Sequence, residues 1–269
     1  MTIAAVVQLT SRGDVAENLQ RASSLIAEAR RAGAELAVLP ENFALLSEDE
    51  EQKHAVAETI PGDGPILTAM RTTARDLGIA LVLGGMPERS TDPRRVHNSC
   101  VYLDKTGTVQ AVYRKIHLFD VAIPDGATYR ESKGVMPGEE PVVVATPAGP
   151  LGLSVCYDVR FPELYRALAK RGARLFTVPA AFTLHTGRDH WHVLLRARAI
   201  ENLCFVLAAA QYGRHHEKRV TYGHSLIVDP WGQVLCEVGD REGFAVAELD
   251  FRQQDRLRCE LPVLDHRRL

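Results

Sequence analysis

Residues 33–40 read GAELAVLP and residues 172–179 read GARLFTVP. Each is a glycine that stops a helical stretch, followed by an apolar run closed by proline. An apolar run without polar alternation marks a strand covered on both faces. Ahead of the first copy, DVAENLQRASSLIAEARRA (14–32) predicts a helix. Asp14 with Glu17 forms a capping box, and Val15, Leu19, Ala22, Ile26 and Ala29 fall on one stripe. After it, 65–77 predicts a second helix stopped by Gly78, and IALVLGG (79–85) a second buried strand. Residues 1–10 read as the first strand and 87–95 as an exposed loop. A further echo supports the first: VYLDKTGTV (101–109) matches LIVDPWGQV (226–234), each a strand, an Asp-led turn with glycine, and a return strand. Two echoes in the same order imply two similar halves. An α/β fold of two face-to-face sheets inside outer helices then accounts for 1–269 as a single domain. A doubly wound sheet and a (β/α)8 barrel are the alternatives, and the barrel would require eight repeats.

Composition narrows the partners. The 269 residues are 46% hydrophobic and 25% charged, and 32 Lys plus Arg against 34 Asp plus Glu leave a formal charge of -2. Such a balance offers no basic field for nucleic acid. Apolar runs such as LCFVLAAA (203–210) fall far short of the ~20 residues that span a bilayer, and 1–10 carry no basic leader. A small-molecule partner is expected, with no nucleic acid and no membrane. The five cysteines (100, 156, 204, 236, 259) are odd in number and lack CxxC spacing, which argues against a disulfide framework or a zinc knuckle. Cys100, Cys204 and Cys236 lie in apolar runs and read as inert buried thiols, so a reducing cytoplasm is expected.

No GxGxxG follows a strand, and no GxxxxGK[ST], HExxH or GxSxG occurs. His190 and His192 flank Trp191, but on a helix they point apart, and no metal is expected there. Cys156 differs from the other thiols. It closes LGLSV (151–155) ahead of a helix opened by Pro162 and ended by Gly172. A thiolate gains stabilisation facing a helix N-terminus, and backbone N–H groups at such an elbow can hold an oxyanion. Glu41 follows strand 36–40 and Lys115 follows strand 109–113, both at the strand ends that converge on the crevice of open α/β folds. A carboxylate to move the thiol proton and activate water, with an ammonium to stabilise the tetrahedral anion, makes a chemically sensible trio. Taken singly, Cys156 also reads as a core thiol, Glu41 as a helix cap and Lys115 as a surface charge.

The segments LPENF (39–43), YRKIHLFD (113–120) and SVCYDVRFPEL (154–164) resemble the Glu, Lys and Cys motifs of the nitrilase superfamily of carbon–nitrogen hydrolases. The likeness runs from AAVVQLT to LPVLDHRR. It implies a four-layer α-β-β-α sandwich with internal pseudo-two-fold symmetry, no cofactor and no metal. It also implies a homodimer assembled through helices at 162–171 and 189–203. Carried over, Cys156 resembles the nucleophile, Glu41 the general base and Lys115 the oxyanion-stabilising cation. Glu131 in YRESKGVMPG resembles a second carboxylate that positions substrate or Lys115, and the Tyr157 N–H would complete the oxyanion hole. Asn202 resembles a rim position with a structural role. The stretch 208–232 is similar to the amidase branch whose substrate is a 2-oxo-acid amide with a second carboxylate on its leaving group. Small ω-amides, nitriles and a non-catalytic binding subunit are the alternatives. Binding a dianion requires cations beyond Lys115, so Arg214 in GRHHEKR (213–219) is the expected leaving-group contact. Arg188 in TGRDHW, which departs from the usual TGPAHW, is a second. A solvated loop is the other reading of 213–219.

Overall fold

The computed structural model describes residues 2–122 and 128–268. Helix α1 (Val15–Arg31) starts where Asp14 Oδ1 accepts the Glu17 N–H at 3.0 Å, and its stripe buries Ala22, Ile26 and Ala29. Helix α3 (Pro65–Leu77) ends on Gly78 at φ 61°, a left-handed stop that favours glycine. A short α2 (Glu50–Ala55) precedes it.

One six-stranded sheet is built from β1 (Thr2–Gln8), β2 (Leu36–Val38), β3 (Ala80–Arg89), β4 (Val96–Leu103), β5 (Val109–Arg114) and, at the far edge beside β1, β16 (Gly243–Leu249). The other holds β8 (Val143–Val144), β9 (Leu151–Leu153), β10 (Leu175–Thr177), β11 (Phe205–Ala208), β14 (Leu226–Val228) and β15 (Val234–Glu237). Two hairpins, β6 (Asp120–Ala122) with β7 (Thr128–Arg130) and β12 (Tyr212–His216) with β13 (Arg219–Tyr222), stand outside the sheets. The remaining helices are α4 (Pro162–Lys170), α5 (Leu184–Asn202) and α6 (Phe251–Glu260).

The strand orders β16-β1-β2-β3-β4-β5 and β8-β9-β10-β11-β14-β15 correspond element by element. In each, three parallel strands are followed by two antiparallel ones, with a further antiparallel strand on the opposite edge. Both sequence echoes fall on equivalent elements, β2 with β10 and the β4–β5 turn with the β14–β15 turn. In those two turns Asp104 and Asp229 each accept backbone N–H groups two and four residues on, and Gly107 and Gly232 each take positive φ.

Alternate residues explain the layers. Ala5, Val7, Leu81 and Val101 face α1 and α3, while Ala4, Val6, Val82 and Tyr102 face Leu153 and Leu207 of the other sheet. That sheet is covered in turn by Leu168 of α4 and Leu195 of α5. The result is the expected α-β-β-α order. Where β3 meets the other sheet it reads Gly84-Gly85, and a Cβ at Gly84 would overlap Pro179 and the Leu39 carbonyl oxygen. Gly84→Ala should therefore cost at least about 2 kcal/mol through overpacking, read as a lower denaturant midpoint; an unchanged midpoint would show that the sheets can separate there.

Several expectations change. Residues 87–89 belong to β3 rather than to an exposed loop, because buried Glu88 is satisfied by Ser99 Oγ at 2.6 Å and by Arg114 at 2.7 and 2.8 Å. Residues 213–219 form most of the β12–β13 hairpin rather than a loop. Cys100 and Cys204 are buried as expected, whereas Cys236 is only half-buried.

Candidate active site

Glu41 lies in the turn after β2, where Asn42 takes φ 59° and donates its N–H to the Gly85 carbonyl at 2.9 Å. Gly85 itself has φ 62°, and any side chain there would press on Asn98 and on Glu41 Cγ. Lys115 follows β5 and is buried. Its Nζ donates to Glu41 Oε1 at 2.9 Å and to Glu131 Oε2 and Oε1 at 2.8 and 3.1 Å. Glu131 begins a single turn of 3-10 helix and also accepts the Phe119 N–H at 2.7 Å. Asn98, which the sequence reading passed over, ties the two carboxylates together by donating to Glu41 Oε1 at 2.8 Å and Glu131 Oε1 at 3.2 Å.

Cys156 opens a 3-10 turn (Cys156–Arg160) at φ 50°. Fully buried Asp158 pins this elbow to the lysine-bearing segment. Its Oδ2 accepts the Val155 N–H at 2.8 Å and the Tyr113 hydroxyl at 2.7 Å, and its Oδ1 accepts the His117 N–H at 3.1 Å. The Cys156 thiol donates to the Glu41 carboxylate, whose Oε2 also accepts the Ala181 N–H at 3.0 Å.

These contacts set the charges. Burial pushes Glu41 up, but the Lys115 charge and hydrogen bonds from Lys115, Cys156 and Asn98 outweigh it and leave its carboxyl below the ordinary value. Burial pulls Lys115 down, yet the charges of Glu131 and Glu41 hold it well above its usual value. Burial and the neighbouring Glu41 charge push the Cys156 thiol well above 9, more than Lys115 lowers it. The resting pair is thus a neutral thiol on an ionised carboxylate. A one-turn 3-10 segment rather than a long helix begins at Cys156, so little helix-terminus stabilisation of a thiolate offsets these effects.

Glu41, Lys115, Glu131, Cys156 and Tyr157 all line one cavity of about 560 Å³, a size suited to a small organic molecule. Arg214 and Arg188 do not line it. Arg214 is exposed and donates to the Glu217 carbonyl at 2.9 Å, because alternation along β12 turns it from the side that buries His215. Arg188 is exposed on α5. The arginine that does reach the cavity from this hairpin is Arg219, half-buried, 4.9 Å over the Tyr129 ring and donating to the Ala181 carbonyl at 2.6 Å. Asn202 is buried at the end of α5, where it donates to the Arg198 carbonyl at 2.9 Å, and it too is absent from the cavity wall. His190 and His192 do diverge, His190 to Arg160 at 3.2 Å and His192 to Glu237 at 3.0 Å.

The arrangement can pass a proton between sulfur and carboxylate beside a fixed cation, which is the chemistry of acyl transfer. Comparison with known proteins agrees. Residues 3–258 match the sequence profile of the carbon-nitrogen hydrolase family. A deaminated glutathione amidase of Synechocystis sp. is 46% identical over 268 residues, covering 98% of this chain and 97% of the relative. The crystal structure of the Caenorhabditis elegans NitFhit protein superposes with a TM-score of 0.93 at 43% identity over 99% of this chain, which spans 65% of that longer protein. Saccharomyces cerevisiae Nit3, a member of branch 10 of the nitrilase superfamily, superposes with a TM-score of 0.90 at 31% identity, covering 100% of this chain and 97% of its own.

Proposed function

The chain belongs to the carbon–nitrogen hydrolase family, and from that premise we propose that it hydrolyses the amide of deaminated glutathione to 2-oxoglutarate and cysteinylglycine. The observation that carries the proposal is the meeting of Glu41, Lys115 and Cys156 on the wall of one cavity that Arg219 also lines. The relative from Synechocystis bears the name of this activity.

In the proposed cycle, Cys156 gives its proton to Glu41 as sulfur attacks the amide carbon. The oxyanion takes hydrogen bonds from Lys115 and the Tyr157 N–H. As Lys115 turns toward that oxygen, Glu41 loses part of the contact that keeps it a weak base, so its basicity rises when it is needed. Glu41 then protonates the departing amine of cysteinylglycine and leaves a thioester. Next it takes a proton from water, which attacks the thioester, releases 2-oxoglutarate and returns the proton to sulfur. Glu131 and Asn98 hold Lys115 and Glu41 in register throughout.

The leaving group carries its own carboxylate, and Arg219 is the cation proposed to receive it. A charge-assisted hydrogen bond is worth roughly 1.5–3 kcal/mol, or about 10–150-fold in kcat/KM when made in the transition state. Arg219→Ala should lower kcat/KM for deaminated glutathione by about that factor, and for 2-oxoglutaramate, which lacks the second carboxylate, by much less. Arg214→Ala should change neither. Equal kcat/KM for both amides in the parent enzyme would move the assignment to small ω-amides. An unchanged ratio in Arg219→Ala would remove that residue from recognition.

A homodimer through α4 and α5 is part of this reading. Val193 and Ile200 on α5 and Trp231 beside them are 67%, 45% and 60% exposed, an apolar surface suited to a second copy. Sedimentation at twice the chain mass is the expected result. The free cysteines fit the reducing cytoplasm proposed for the chain, and no helix among the described residues is long and apolar enough to cross a membrane.

A further inference from the structure

His192 on α5, His224 between β13 and β14, and Glu237 at the end of β15 come from three separate elements. Yet one ligand atom from each lies within 4.8 Å of the other two. Glu237 Oε1 stands 2.6 Å from His224 Nδ1 and 3.0 Å from His192 Nε2. On the opposite side of the same ring, His224 Nε2 is 3.4 Å from Asp240 Oδ1. His224 is therefore flanked by carboxylate oxygens at both nitrogens. A neutral imidazole carries one N–H, so it can satisfy only one of them and turns a bare nitrogen to the other. A metal ion at Nδ1 would leave the single N–H on Nε2, facing Asp240.

The rest of the cluster favours the metal. His192 adds a second nitrogen donor aimed at the same oxygen. Both rings are held in place: Tyr222 stacks on His224 at 4.3 Å and meets the His192 edge at 6.1 Å. The His224 carbonyl accepts the Trp191 indole N–H at 2.8 Å, and its backbone sits at φ 58°, where a bulky side chain is strained.

We propose that His192 Nε2, His224 Nδ1 and Glu237 bind one divalent transition-metal ion of the zinc class, with Asp240 accepting the remaining His224 N–H. Two histidines, a carboxylate and an open fourth position form a familiar zinc donor set, and a carboxylate behind a ligating histidine fixes its tautomer. Tetrahedral bonds near 2.0–2.1 Å would set the ligand atoms about 3.3 Å apart. Glu237 must then retreat by about 0.3 Å from His192 and about 0.7 Å from His224, and as an exposed side chain on an edge strand it has room to do so. The site lies outside the wall of the catalytic cavity, and every ligand belongs to one chain, so one ion per chain is expected.

The test uses the full chain carrying Cys156→Ala, which removes that thiol as a competing ligand. After chelation and dialysis it is titrated with zinc chloride by calorimetry and with cobalt(II) chloride by visible spectroscopy. The expected results are one zinc per chain, a higher Tm with zinc, and a cobalt spectrum of low coordination number without thiolate bands. His192→Ala, at a half-buried position on α5, should lower zinc affinity at least tenfold. His224→Asn, which tolerates the left-handed backbone, should do so more strongly, and Asp240→Asn should cost about 10-fold as a supporting contact. No stoichiometric zinc, or zinc binding that survives both histidine substitutions with a thiolate cobalt spectrum, would overturn the site.

Discussion

Cys156→Ala should fold like the parent and turn over no amide, with kcat lower by about 10⁴-fold or more, the scale of losing a nucleophile. The thiol is buried and neutral, so its loss removes no charge from the fold. The elbow around it is held by Asp158 through Val155, Tyr113 and His117, none of which the substitution touches. Intact-mass measurement on a slowly hydrolysed amide should show an acyl adduct on the parent and none on the variant. Replacing Cys100, Cys204, Cys236 or Cys259 singly should leave the adduct in place. The two buried ones, Cys100 and Cys204, should lower Tm instead. Turnover that persists in purified Cys156→Ala would end the thioester mechanism.

Lys115→Met should separate catalysis from binding and also reverse a pH dependence. Its proposed contact with the oxyanion would belong mostly to the transition state, so kcat should fall by about 10²–10³-fold with little change in KM. Stability should suffer as well, because Glu41 and Glu131 would face each other without their shared cation. Breaking a buried ion pair costs about 3–5 kcal/mol. In the parent, Glu41 is held below its ordinary value, so its contribution is present above the unfolded pKa and lost as pH falls through the folded one. Without Lys115, burial dominates and raises Glu41. Its protonated form then favours folding below the unfolded pKa, and that contribution is lost as pH rises. The Tm gap between parent and variant should therefore narrow from pH 7.5 to pH 4.5. A gap that stays constant would mean that Lys115 does not set the charge of Glu41, and a change in KM alone would make it a substrate-binding group.

The two halves were legible because each echo encodes a local necessity: glycine to leave a helix, an apolar strand, or an Asp-led turn whose carboxylate caps its own backbone. That Glu41, Lys115 and Cys156 would meet was legible because each lies just past the end of a strand. The outward turn of Arg214 was not. The β12–β13 hairpin shifts register between Arg214 and His216, and such an irregularity changes which side chains share a face without changing the charge pattern. Glu88 reads as a loop residue until Arg114, 26 positions away, neutralises it. His192 has no visible partner because His224 and Glu237 lie beyond β11, β12 and β13. The charge states were hidden for a related reason: the Cys156 thiol is set by burial and by a carboxylate from a turn far earlier in the chain.

Strand β1 has its outer neighbour nearly at the other end of the chain, with Thr2 opposite Leu249 and Gln8 opposite Gly243. On the ribosome, β1 is made long before β16 and is therefore late to gain a partner along that edge. Until residues near 249 emerge, apolar Ala5, Val6 and Val7 sit on an open edge that can recruit a strand from another nascent chain. Closing it joins segments of very large sequence separation, the kind of contact that slows folding. Truncation before β16 would thus do more than remove an edge strand, because it would leave permanently open the edge that synthesis otherwise exposes only for a time.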